Sequence, residues 1–467
     1  MKTIVAKAQG FTADSREVKP GYVFVAIKSS LQDGHHYISH SIKNGAKFII
    51  HQDKVEQDPD ITYVQVEDTR LSYSKLAKEF YSKQPKYIFG ITGTSGKSSS
   101  VHFIREILKL LEIKSISIGT MGVMGDLEYA LDLTTPSPKQ LHQILHTAKE
   151  NEIDYTAIEC SSHGIDQQRI ASVNFTACAF TNFSQDHLDY HLTMKKYLAA
   201  KLKLFKLMKP GFAVLNSDIP EFDTIKKSCE KHKLICYGKR ICEEAEHNIT
   251  IISIQKRDLK QFVIWKIDGE LYKTEVDLVG EFQIYNLACA IGLLLSSGIK
   301  ANHIMPLLSK LNTVTGRLEL VSTYNGASIF IDYAHKPGAL LSVLQTVKQS
   351  TDNDLWVLFG CGGERDATKR KIMGEIACEH ADKVVITEDN PRKENATIIR
   401  KDILEGCNER AIEIAGRGEA IIYALSKLKS GDKLIIAGKG HEDYQIIGDE
   451  KIAFSDAEIV KKYVSSS

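Results

Sequence analysis

Short apolar runs alternate along this chain with stretches whose apolar residues recur every three or four positions. The runs have the length of strands and the stretches the period of amphipathic helices, so the pattern predicts α/β architecture. The first block carries strand patterns over 22–27, 47–51 and 62–66 and a helix pattern over 71–81. Ser82-Lys83-Gln84-Pro85 reads as a linker, because proline cannot continue a helix. A strand over 87–92 then meets a glycine-bearing loop at 93–96. In the helix that follows, Val101, Ile104, Leu108 and Leu111 form one apolar face. From Leu318 onward, four strands over 328–333, 354–359, 383–387 and 433–437 each end in a polar or glycine-bearing turn. Ligands of open parallel sheets bind at the carboxyl ends of strands, so four such turns mark a candidate site.

At 467 residues the chain is too long for one ordinary domain. The breaks divide it into 1–85, 86–317 and 318–467. Sixty lysines and arginines balance 59 aspartates and glutamates, which removes any global electrostatic reason to bind nucleic acid or an anionic membrane. Nine scattered cysteines without a C-x-x-C pair fit a reduced protein with neither a disulfide framework nor a zinc module. The N-terminus has no secretory pattern, and no run approaches the roughly 18 apolar residues of a membrane span. The expectation is a soluble cytoplasmic protein, a monomer acting on small molecules.

The segment GITGTSGKSSS carries the first candidate chemistry. A phosphate loop usually reads G-x-x-x-x-G-K-[ST], yet position 91 is isoleucine. Strand, glycine loop and helix are nevertheless the context such a loop needs, with backbone N–H groups and a helix N-terminus facing phosphate. Lys97 can neutralise phosphate oxygens, and the Ser98 hydroxyl can ligate Mg²⁺. Glu159 ends a strand pattern, and His187 and His191 stand at H-x-x-x-H spacing. Position 188 is leucine where a zinc protease carries glutamate, so a zinc hydrolase is rejected. Lys201 shares a helix face with Leu198 and Phe205, whereas Lys195, Lys196, Lys203 and Lys206 fall on the polar face. Periodicity favours a Lys201 that snorkels to water; the alternative is a buried amine with a lowered pKa. Arg365 and Arg392 can clamp carboxylates, and Glu442 can accept from an amine.

These motifs, read together, resemble the Mur ligases. GTSGKS, ECSSHG with QQR, TNFSQDHLDYH, YLAAK, GRLEL, DYAHKPGAL, GCGGERD, EDNPR and GKGHEDYQ occur in that family's order and cover nearly the whole chain. The DNPR box resembles the version that accepts meso-diaminopimelate. The resemblance implies an ATP-dependent ligase of cell-wall synthesis in three domains. The first binds the UDP-substrate, the second is a central P-loop-type sheet, and the third is Rossmann-like and binds the incoming amino acid. It implies ATP contacts at Gly93, Thr94, Ser95, Gly96, Lys97, Ser98, Ser99, Asn286, Arg317, Asp332, Tyr333 and His335. Ser98, Glu159, His187 and Lys201 would hold Mg²⁺, with Lys201 carbamylated by CO₂. Lys97 joins Glu159, His187 and Lys201 as a catalytic group. Ser15, Thr134, Thr135, Ser161, Gln167 and Arg169 would bind UDP-muramoyl-dipeptide. Arg365, Asp389, Asn390, Pro391, Arg392, Gly438 and Glu442 would bind diaminopimelate. Ser95 and Gln283 stand where asparagine is usual, Thr315 where proline is common, and Gly338 where an acidic residue is common. A folylpolyglutamate synthase and a nucleotide-binding regulator without ligase activity are the rival expectations.

Overall fold

The computed structural model describes residues 2–28, 32–257, 260–311, 313–407 and 409–466. Among these, the strands form sheets of four, ten, six and two strands. The four-stranded sheet is parallel, in the order Gly10–Thr12, Tyr22–Val25, Phe48–His51, Thr62–Gln65. Asp68 caps the helix Thr69–Phe80, its Oδ1 accepting from Leu71 N at 2.9 Å. That helix lays Tyr73, Leu76 and Ala77 against Phe11, Val23 and Val25.

The ten-stranded sheet positions the chemistry. Its strand Tyr87–Thr92 lies between Tyr155–Glu159 and Ala177–Phe180, parallel to both. Ile91 pairs with Glu159 and Thr92 with Phe180, so three carboxyl ends finish side by side. The helix Lys97–Leu110 starts directly after the glycine loop and buries Val101, Ile104 and Leu108, as its spacing predicts. The helix Glu281–Leu295 is nearly all apolar and packs into the same core. The sheet is not parallel throughout. His247–Arg257, Lys260–Ile267 and Glu270–Val276 extend one end as an antiparallel meander, and Gly122–Gly125 closes the other.

The six-stranded sheet runs Glu319–Tyr324, Ala327–Asp332, Lys433–Ala437, Leu355–Phe359, Lys383–Ile386, Ala411–Glu413. All but its first pairing are parallel. The four strands predicted here differ from the observed ones by at most a residue at each end, and their carboxyl-end turns are neighbours. No described helix is long and apolar enough to cross a membrane.

The four-stranded unit meets the ten-stranded one through the helix Pro138–Glu150 and the segment after it. Ser172 N donates to Ser74 Oγ at 3.1 Å, Lys139 pairs with Glu17 at 3.4 Å, and Gln168 donates to Asp68. His142 is fully buried at this junction, with Nδ1 3.4 Å from Gln84 Nε2. Burial, helped by Lys78, pushes its pKa down to about 3 from the ordinary 6.5. The neutral ring therefore favours the folded state. This contribution is fully present above about 6.5 and is lost as pH falls towards about 3. His142→Leu should flatten the decline of melting temperature with acidification across that window, and equal slopes in both proteins would exclude this role.

Candidate active site

The turn after Thr92 is possible because Gly93 and Gly96 take φ of +140° and +84°. A Cβ on Gly96 would also overlap the Asn286 Oδ1. Thr94 N donates to Asn182 O and Ser95 N to Asn182 Oδ1, both at 2.9 Å, so the neighbouring strand's loop holds the first half of the turn. Ser98 Oγ donates to Glu159 Oε2 at 2.9 Å. Glu159 is buried, and its Oε1 accepts from Thr120 N at 2.9 Å. The carboxylate fits there because residue 119 is glycine; a Cβ would overlap Glu159 Oε1.

Lys97 Nζ donates to Gly93 O at 2.9 Å and to Thr94 O at 2.8 Å. Burial pushes its pKa down to about 8. Lys201 Nζ reaches the same Gly93 carbonyl at 2.7 Å and lies 4.4 Å from the Tyr197 ring centroid. Lys201 is 1% exposed, so the snorkelling expectation fails. The helix Met194–Leu207 points this lysine at the loop, while Lys195, Lys196, Lys203 and Lys206 stay in water as predicted. Burial, with the Lys97 charge adding, holds the Lys201 amine well below its ordinary pKa.

His187 caps a one-turn helix at φ +50°. Burial keeps its ring neutral against the pull of Asp186, 3.3 Å away. Burial would raise the pKa of Asp186, but the Lys336 charge overcomes it and holds the carboxyl at about 2. Lys336 pairs with Asp186, tying the six-stranded sheet's first turn to the His187 loop. Arg317 Nη2 donates to Ser98 Oγ at 3.3 Å, and its guanidinium lies 4.4 Å from the Tyr333 ring centroid. Asp332 accepts from Leu318 N and Ala334 N at 2.6 and 2.7 Å; burial still raises its pKa to about 6. His335 Nδ1 donates to Tyr333 O at 2.7 Å, which leaves Nε2 as an acceptor.

These groups share a cleft of about 750 Å³ between the ten- and six-stranded sheets. Thr94 to Ser99, Thr134, Glu159, Ser161, His187, Lys201, Asn286, Arg317, Asp332, Tyr333 and His335 line it. The other predicted residues lie outside this lining. Thr135 sits behind it, with Oγ1 donating to Glu159 O at 2.7 Å. Arg169 donates to Thr135 O and Gln167 Oε1, both at 2.7 Å. Ser15 stands apart beside the four-stranded sheet, its carbonyl accepting from Asn44 Nδ2 at 3.0 Å.

Asp389, Asn390, Pro391, Arg392, Gly438 and Glu442 form a second group on the six-stranded sheet. Arg392 Nη1 donates to Gly363 O at 2.9 Å, and Asn390 Nδ2 to Glu442 Oε2 at 2.9 Å. Gly438 has φ +113°, and a Cβ there would lie 2.6 Å from Asp389 Oδ2. Arg365 is exposed at the edge of this group. Behind it, Arg417 is fully buried and donates to Glu388 O, to Ala437 O and to both oxygens of Asp456.

Sequence reading did not single out Thr120, Asn182, Asp186, Lys336 or Lys439. Asp186 and Lys336 adjoin the chosen histidines, but their partnership spans 150 residues and has no local pattern. Gln283 is fully buried and accepts from Asn286 Nδ2 at 3.0 Å, so it acts on the cleft through Asn286. Among the described residues, Asp33, His35 and Asp53 also gather closely enough to suggest a metal site. There His35 Nδ1 bonds Asp33 at 2.6 Å and Nε2 accepts from the amides of Gln52 and Asp53, so no ring lone pair is left for an ion.

Known proteins resemble this one along its whole length. Residues 7–81 match the Mur ligase family catalytic domain, 91–294 the Mur ligase middle domain and 316–440 the Mur ligase glutamate ligase domain. A UDP-N-acetylmuramoyl-L-alanyl-D-glutamate–2,6-diaminopimelate ligase of Rickettsia bellii (strain RML369-C) is 41% identical over 461 residues, 97% of this chain and 94% of that protein. The protein of the same name from Agrobacterium fabrum is 40% identical over 457 residues, 97% of this chain and 92% of that one. A solved structure of a ligase of this name superposes with a TM-score of 0.71 at 29% identity, covering 98% of this chain and 95% of its own. Such likeness, sustained through every sheet that builds the cleft, means that this chain belongs to the Mur ligase family.

Proposed function

We propose that the protein joins meso-diaminopimelate to UDP-N-acetylmuramoyl-L-alanyl-D-glutamate at the expense of ATP. The observation that carries this reading is the meeting of Lys97, Ser98 and Glu159 at two adjacent strand ends, in a chain about 40% identical to ligases so named.

A carboxylate is a poor acyl donor. Transfer of the ATP γ-phosphoryl group to the D-glutamate γ-carboxylate makes an acyl phosphate. The neutral diaminopimelate amine then attacks the acyl carbon, the nitrogen gives up a proton, and hydrogen phosphate departs. The first step is mostly positioning and charge neutralisation. Lys97 swings from its loop carbonyls to the phosphoryl oxygens, and Arg317, stacked on Tyr333, faces them from the other sheet. Asn286, Asp332 and His335 hold the nucleotide; Thr134 and Ser161 hold the acceptor. Thr135 braces Ser161 from behind, its Oγ1 accepting from Ser161 N at 3.0 Å.

Mg²⁺ fits the Ser98 hydroxyl and Glu159 carboxylate, oxygen donors of the kind hard cations take. Bound there, it neutralises charge on the transferring group. Lys201 suits carbamylation because its buried amine shares a carbonyl with Lys97 and is shifted towards the neutral, nucleophilic form. The amine would add to CO₂ and lose a proton, and the anionic product, with Glu159 and neutral His187, would hold a second Mg²⁺. Arg392, with Arg365 beside it, meets the distal carboxylate of diaminopimelate, which lysine lacks. Three structural units around one reaction favour closure on substrate, which keeps water from the acyl phosphate.

With Mg-ATP and UDP-N-acetylmuramoyl-L-alanyl-D-glutamate, ADP release should appear on adding meso-diaminopimelate and not L-lysine. Silence with both would return the folate enzyme or the regulator to consideration. Arg392→Ala should raise KM for diaminopimelate roughly 100-fold or more with KM for ATP unchanged; unaltered diaminopimelate kinetics would refute the clamp. ¹³C-bicarbonate should give a carbamate resonance that Lys201→Ala abolishes along with turnover. A fully active native enzyme without that resonance would sink the carbamylation.

A further inference from the structure

Lys439 lies between two glycines and is fully buried, although it carries a charge. Its Nζ is 3.2 Å from Asn390 Oδ1 and 3.2 Å from Glu442 Oε2, with the Tyr444 ring centroid 5.6 Å away. An i,i+3 ion pair in a surface turn stabilises little. Here the ammonium is fully buried while Glu442 is 17% exposed, so the lysine charge left alone in that place would be costly.

The contacts have a geometric result. Asn390 Oδ1 accepts from Lys439 Nζ and also from Ile446 N at 2.9 Å. Two donors on that oxygen forbid the flipped amide, so Nδ2 faces Glu442, which it reaches at 2.9 Å. Lys439 and Asn390 Nδ2 both bond Oε2 of Glu442. No described hydrogen bond engages Oε1, and the side chain is 17% exposed, so an ammonium can meet it there.

We infer that Lys439 is a positioning residue for the incoming amino acid, one that fixes the Asn390 amide and turns Glu442 Oε1 towards the substrate ammonium. This rests on the reading of 389–392 and 438–442 as the diaminopimelate pocket. Lys439 does not itself touch substrate; it acts through Asn390 and Glu442.

Steady-state kinetics on the full-length protein test the inference. Lys439→Met should raise KM for diaminopimelate about 10- to 100-fold, the loss expected for hydrogen bonds to a charged group. KM for ATP should stay within about twofold, since the nucleotide cleft has a separate lining. In an Asn390→Ala background, Lys439→Met should add little, because both changes remove one arrangement. Unchanged KM for diaminopimelate, a parallel rise in KM for ATP, or full additivity with Asn390→Ala would each overturn the inference. If Lys439→Met gives no cooperative melt, Lys439→Gln carries the same test with the same expected direction. Native enzyme that releases no ADP with diaminopimelate would refute the pocket assignment itself, and that result is read before any variant is compared.

Discussion

Parallel backbone pairing across Tyr87–Thr92 is the constraint on which the cleft depends. Hydrogen bonds to strands on both sides fix where each chain leaves the sheet. Glu159 thereby meets Ser98, and Asn182 meets the loop amides, with no long side chain needed to bridge them. A one-residue slip would turn Glu159 to the opposite face of the sheet and leave Ser98 without its acceptor. The interior on both sides is closely packed, which makes such a slip expensive.

Charge is distributed around that frame in a consistent way. Lys97 and Lys201 converge on one carbonyl, and Lys336 and Arg317 approach from the other sheet. Against these stand Glu159 and Asp186, with Asp332 behind and shifted towards its neutral form by burial. Lys97, Lys336 and Arg317 bring placed positive charge to the cleft although the whole chain is nearly neutral. Recognition of a polyanion needs such placed cations and gains nothing from a charged exterior.

Much of this was legible in the sequence, and the limits are physical. The strands over 87–92 and after 318 stand out because each is a short apolar run ending in a polar or glycine-bearing turn. The phosphate loop was readable from Gly96-Lys97-Ser98 despite the isoleucine at 91, because the helix after it has a clear apolar face. The meander over 247–276 was passed over, although Lys260–Ile267 alternates buried and accessible positions along most of its length. Lys201 shows where local pattern misleads. Periodicity cannot tell a lysine that reaches past an apolar face to water from one that ends beneath a loop over 100 residues away in sequence. Lys336 with Asp186 and Lys439 with Asn390 were hidden for the same reason, since each partnership is made by sheet order and not by spacing.

The Arg417–Asp456 pair ties the last described helix to the six-stranded sheet. Asp456 opens the last described helix, Asp456–Ser466, while the Arg417 guanidinium holds the carbonyls of Glu388 and Ala437, the residues immediately before Asp389 and Gly438. This helix thus supplies a counterion for the scaffold under 389–392 and 438–442, the proposed diaminopimelate pocket. Unseating that helix would strand a buried guanidinium, and the cost would fall on the proposed amino-acid pocket before it reached the distant glycine loop at 93–96.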